Sequence, residues 1–275
     1  MQETKRNVTK ENDLQRIKEL RLMDDDFFSE ALDGKKEAVE YILNTILERD
    51  DIKVKSTKAQ VEYKSATKRS IKLDIQAEDV HGRLMDIEIQ RSDRGSGVRR
   101  ARFHSSMIDR SLLSKGKDFE DLVDTYVIFI TEKDKFGMGV PLYHIERRIK
   151  EMDHALFGDG AHILYVNGEY RNLEHPVGSL MHDFNCKDAK DMVNPLLAEE
   201  VRYLKETEGG RSQMSRILEE MRNEVAEKAR AEGNHEKAVN TALKMIAKDY
   251  EAEEVAEITG LTLEEVRKLA ENQKG

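Results

Sequence analysis

"LDIQAEDVHGRLMDIEIQ", residues 73–90, decides how this chain is read. Leu73, Ile75 and Ala77 fall on one face of an extended segment, and Lys72, Asp74 and Gln76 on the other. In the second half Met85, Ile87 and Ile89 share a face, while Asp86, Glu88 and Gln90 share the opposite one. "DVHG" between them is turn chemistry, with Gly82 free to adopt a positive φ. The pattern predicts a hairpin of strands 70–78 and 84–90 with acids in mid-strand. Pairing about the turn brings Asp74 and Glu88 together across the ladder. Two adjacent carboxylates repel each other unless a cation or a proton lies between them. Such oxygen donors suit a hard divalent ion like Mg2+, which keeps several waters and accepts phosphate oxygens. A metal so held activates water and neutralises charge on a scissile phosphodiester. The ordinary alternative is a strand whose acids face solvent, and spacing alone does not separate the two.

The segment after the hairpin bears on that choice. Formal net charge is −9, so a phosphate-binding protein of this composition must concentrate its positive charge locally. Residues 91–110, "RSDRGSGVRRARFHSSMIDR", do so with six Arg against two Asp. A helix over 98–114, basic at its start near Arg99, would place phosphate contacts beside the metal.

The rest of the 275 residues frames this core. Helical spacing predicts helices over 11–23 and 35–49, with an acidic helix start capped around Asp24–Asp26 between them. Residues 52–65 read as a strand or strand pair. "TYVIFIT" (125–131) is an apolar run typical of a strand buried on both faces. Residues 141–148 and 161–168 read as further strands. From about Asp188 the chain reads as helical, with a break at the glycines 209–210. Residues 251–270 read as helix, turn, helix, with Thr262 and Glu265 as a capping box. The expected organisation is a domain over 1–210 and a helical tail over 211–275.

Several chemistries are excluded. There is no P-loop, GxGxxG, HExxH, CxxC or GxSxG. A single cysteine rules out an intrachain disulfide and a thiolate zinc cluster. The eight histidines show no ligand spacing. No apolar run reaches the length of a membrane span, and the polar N-terminus lacks a signal-peptide core, so a reducing cytosol is the expected compartment.

"LDIQAEDVHGRLMDIEIQRSDRGSGVRRARFHSSMID" resembles the PD-(D/E)XK nuclease family transposases, also called recombination-promoting nucleases. The resemblance extends through "DDDFFSEAL", "DTYVIFITEKD", "PLYHIER", "HILYVNG" and "LMHDFNCKDAKDM", over residues 22 to 215. It implies a restriction-endonuclease-like α/β/α sandwich around a mixed sheet. It also implies DNA cleavage dependent on Mg2+ or Mn2+ and linked to recombination or transposition. By the same resemblance Asp74 and Glu88 are the metal ligands, and Gln90 stands where the broader superfamily has Lys. An acid of the first helix, Asp25 ahead of Asp26, completes the site. Glutamine offers hydrogen bonds where lysine offers charge, so Lys72 or Arg100 is expected to supply the missing charge. Arg99, Arg100, Arg102 and Lys72 are the expected DNA contacts. Two alternatives stay open: a catalytically silent nuclease fold that binds DNA or a partner, and RNA as substrate. Double-strand cleavage usually needs two active sites, which points to a homodimer. The tail over 231–275, with ten acids against six Lys and Arg, favours packing or oligomerisation over DNA reading.

Overall fold

The computed structural model describes residues 2–64, 70–91, 96–113 and 116–274. Residue 65 of the first expected strand, positions 92–95 of the basic stretch and position 114 of the helix after it lie outside these. The chain forms two compact units, Met1–Ser215 and Arg216–Gly275.

The first unit begins with helices α1 (Gln2–Glu19), α2 (Asp25–Leu32) and α3 (Lys36–Ile46). In α3 the apolar residues Ala38, Val39, Ile42, Leu43 and Ile46 recur at helical spacing, and all are buried. Strands β1 (Val54–Tyr63), β2 (Ile71–Asp79) and β3 (Leu84–Gln90) follow as an antiparallel meander. Gly82 in the β2–β3 turn takes φ +80°, a conformation open to glycine at no steric cost. Helix α4 (Val98–Leu112) leads to β4 (Thr125–Thr131), which pairs parallel to β3. Next come β5 (Leu142–Ile145), the two-stranded ribbon β6 (Arg148–Ile149) and β7 (Ala155–Leu156), and β8 (Ala161–Asn167). The main sheet has the order β1-β2-β3-β4-β8-β5, with β8 parallel to β4 and β5 antiparallel to β8.

Parallel neighbours cannot be joined by a hairpin, so the β3–β4 connection must cross over one face of the sheet. Helix α4 is that crossover. It buries Ala101, Met107 and Ile108 against Leu84, Val127, Phe129 and Tyr165. Met85, Ile87 and Ile89 alternate to the other face and are fully covered there. Helices α2 and α3 pack on β1–β3, and Phe28 of α2 meets Phe184 of α5 (Pro176–Asn185) at a ring distance of 5.7 Å. The architecture is a restriction-endonuclease-like α/β fold, a mixed six-stranded sheet with flanking helices.

Three local expectations change. Helix α2 starts at Asp25, but the Asp24 side chain does not cap it. Its carboxylate accepts from the Arg21 backbone N–H at 2.7 Å and pairs with Arg91 at 2.7 Å. A helix before Asp188 was not expected. Helix α5 opens with Pro176 in its first turn, which costs no hydrogen bond there, and His175 Nδ1 accepts from the Val177 N–H. The glycines 209–210 do not break a helix. They lie in the first turn of α7 (Glu208–Ile246), and the break falls two residues before Gly209, at Thr207 after α6 (Pro195–Glu206). A Cβ on Gly210 would lie 2.1 Å from the Tyr203 carbonyl oxygen, so glycine there permits close approach of the two helices.

The second unit holds the rest of α7 with α8 (Ala252–Thr259) and α9 (Leu263–Lys274). Ala242, Val255, Leu261 and Val266 form its core. Gly260 takes φ +73°, and Thr262 and Glu265 exchange the two hydrogen bonds of a capping box. Among the described residues no helix is long and apolar enough to cross a membrane.

Candidate metal centre

Regular pairing between β2 and β3 runs from Glu78↔Leu84 to Ile75↔Ile87 and stops there. At the next position the carboxylates of Asp74 and Glu88 enter the gap. The Asp74 N–H donates to Glu88 Oε1 at 3.0 Å, and the Ile89 N–H donates to Asp74 Oδ2 at 2.9 Å. Each acid thus accepts a backbone proton from the strand opposite its own. Ser29 of α2 donates to the Asp74 carbonyl at 3.3 Å and ties that helix to the gap.

Glu88 does not face solvent, and Asp74 is half-buried. Every residue of β3 except Gln90 is buried, because α4 lies over the polar face that would otherwise be wet. Burial pushes the Asp74 carboxyl up to about 8, helped by the charge of Glu88 and, further down, that of Asp25. Burial likewise pushes Glu88 up to about 8, with Asp86 as the next cause. Asp86 is raised well above the carboxylate range, chiefly by burial and then by Asp74. Three carboxyls in one buried site favour protonation or a cation.

Arg100 and His104, one turn apart on α4, answer this charge. Arg100 donates to Glu88 Oε2 at 2.8 Å and, through Nε, to His104 Nε2 at 3.2 Å. His104 Nδ1 lies 3.0 Å from Asp86 Oδ2 and 3.9 Å from Glu88 Oε1. Asp86 and His104 were not among the expected site residues. Asp86 carried one signal, its place on the Glu88 face of the strand. His104 carried only its four-residue spacing from Arg100.

A groove of about 660 Å3 opens beside the cluster, lined by Ser70, Lys72, Arg99, Arg100, Phe103 and His104. Of the expected DNA contacts, Lys72, Arg99 and Arg100 are brought together here. Arg102 is exposed but does not line the groove. Arg91, the first of the six arginines, pairs with Asp24 and lies 3.7 Å from Glu132. Arg94 lies outside the described residues. Gln90 ends β3, half-buried, paired in register with Thr131. Asp25 opens α2 close enough for its charge to act on Asp74.

A comparison with known protein families matches residues 12–175 to the PD-(D/E)XK nuclease family transposases. The chain belongs to this family. The match spans α2, the acidic hairpin, α4 and the strands through β8. Membership in the PD-(D/E)XK nuclease family transposases supports a nuclease-type function, and divalent metals are the general cofactors of such nucleases. The comparisons with curated proteins and with solved structures gave no match.

Proposed function

We propose that this protein is a DNA endonuclease that hydrolyses phosphodiester bonds with Mg2+ or Mn2+ during recombination or transposition. The observation that carries the reading is the opened ladder, in which Asp74 and Glu88 replace main-chain pairing and lie beside a groove with basic residues. Such a gap is costly to fold and fits a divalent ion, because the donors are anionic oxygens held by N–H groups from opposite strands. Asp74 and Glu88 would hold the ion, with Asp25 as the nearby third acid. When bound, the ion supplies an acidified water and charge neutralisation at the phosphate.

The chain's own groups do the rest. Arg100 holds Glu88 in place through its 2.8 Å ion pair. Lys72 and Arg99 offer positive charge to the phosphate backbone along the groove. The Gln90 amide offers hydrogen bonds but no charge, so the arginine and lysine on the groove wall compensate for the lysine this position lacks. Double-strand cleavage would call for a second copy of the chain.

Plasmid cleavage with Mg2+ or Mn2+ tests the proposal. Asp74→Ala should lower the rate by roughly a hundredfold to a thousandfold. Cleavage that survives the substitution would assign the activity to another site or another protein. One observation favours a second reading. Arg100 already neutralises Glu88, as suits a silent fold that binds DNA without cutting it. Salt-sensitive DNA binding with no turnover under either metal would select that reading.

A further inference from the structure

We propose that Asp86, Glu88 and His104 form a cation site of their own, suited to a transition-metal ion such as Mn2+ or Co2+ rather than to Mg2+. It deepens the nuclease reading and rests on it for what the ion does to DNA, since Glu88 is common to both sites.

One ligand atom from each of the three residues lies within 4.8 Å of the others. Asp86 and Glu88 are fully buried, and His104 is 2% exposed. An acid cluster alone would mean little, but Asp86 adds an independent sign. Its Oδ1 is buried with no N–H or hydroxyl donor among the described residues, and the side chain that could share a proton with the Asp86 carboxyl is another acid, Glu88. A buried acid whose nearest proton-sharing neighbour is another acid is a costly arrangement for a purely structural residue. An apolar side chain of similar volume would pack there at lower cost. A cation between Asp86, Glu88 and His104 gives that oxygen's carboxylate its counter-charge.

The donor set selects the ion. Two carboxylates alone would suit Mg2+, which strongly prefers oxygen. An imidazole nitrogen shifts the preference from Mg2+ toward first-row transition ions, with Co2+ gaining more than Mn2+. His104 also lines the groove, which gives an ion a way in. In the metal-free arrangement Arg100 donates to His104 Nε2, so the neutral ring carries its proton on Nδ1, toward Asp86. An ion bound at Nδ1 moves that proton to Nε2. Two donors then face each other, and the Arg100 contact with His104 must open.

The test uses untagged full-length protein stripped with a chelator. Pulsed EPR of bound Mn2+ reads histidine nitrogen coupling, and calorimetry reads Mn2+ and Mg2+ affinity. Wild type should show the coupling, Asp74→Asn should keep it, and His104→Asn should lose it. His104→Asn should weaken Mn2+ by at least about tenfold and Mg2+ by less than about threefold. Absence of nitrogen coupling in wild type overturns the site whatever the variants do, and so does coupling that persists in His104→Asn. Coupling without DNA cleavage upholds the site while sinking the nuclease reading. Cleavage abolished by Asp74→Ala with no nitrogen coupling does the reverse.

Discussion

Among the described residues two clusters have the composition of a metal site, and they differ in how their acid oxygens are satisfied. Asp86, Glu88 and His104 form the first; His182, Asp183 and Cys186 form the second. In the second, both oxygens of Asp183 are taken, by the N–H groups of Val193 at 2.7 Å and Asn194 at 2.8 Å. Those bonds pin the segment entering α6 against the end of α5. Burial and the nearby Asp183 push the Cys186 thiol up to about 11, so no thiolate is ready to ligate or attack. In the first cluster an acid oxygen has no such partner among the described residues. Ligand-type residues in proximity do not distinguish a structural knot from a site. The satisfaction of their oxygens does.

Substitutions should break the two clusters in different ways. The largest effect falls on Glu88→Gln, which removes a charge from both cation arrangements. DNA cleavage should fall by roughly a hundredfold or more while the protein stays folded, as read by plasmid nicking and circular dichroism. Asp183→Ala should instead cost about 2–4 kcal/mol of stability, because it leaves two N–H groups without their acceptor. Thermal melts should show the loss, with Mn2+ affinity and cleavage per folded molecule unchanged. A loss of Mn2+ affinity in Asp183→Ala would erase the contrast.

A smaller effect is set by pH. With chelator present, Asp74 and Glu88 keep their protons up to about 8 in the folded state, against about 4 in the unfolded chain. Between these values the folded state binds more protons, so stability falls as pH rises. The contribution is complete below about 4 and is gone above about 8. The groups facing these acids are Asp25, Asp86, Arg100 and His104. Asp86→Asn should flatten the slope and stabilise the metal-free protein by about 1–2 kcal/mol near pH 8. A melting temperature that rises with pH over this range would contradict the crowding of acids in the β2–β3 gap. The smallest effect belongs to Cys186→Ser, which should change stability by less than about 1 kcal/mol and leave Mn2+ affinity unaltered. A tenfold loss of affinity would make the second cluster a site after all.

Much of the fold was legible because its signals are local. The apolar run 125–131 is β4 to the residue, and the alternation of 70–78 and 84–90 gave the hairpin, observed at Ile71–Asp79 and Leu84–Gln90. Thr262 and Glu265 announced their capping box three residues apart. The glycines 209–210 misled because a flexible residue and a tightly packed one look alike in sequence. Only the Tyr203 carbonyl, across the α6–α7 junction, tells them apart. Asp24 misled for a similar reason. Its position suits a cap, but Arg21 and Arg91 claim its oxygens.

The sequence by itself determined that acids would meet across a hairpin and that positive charge would follow, since strand alternation and composition depend on near neighbours alone. Only the tertiary structure decided that Glu88 is dry and Asp74 half-buried, that Arg100 and His104 bear on this site, and that Asp86 belongs with it. The reason is the crossover. Parallel pairing of β3 with β4 lays α4 over the polar face, and no periodicity within one strand encodes what will cover it.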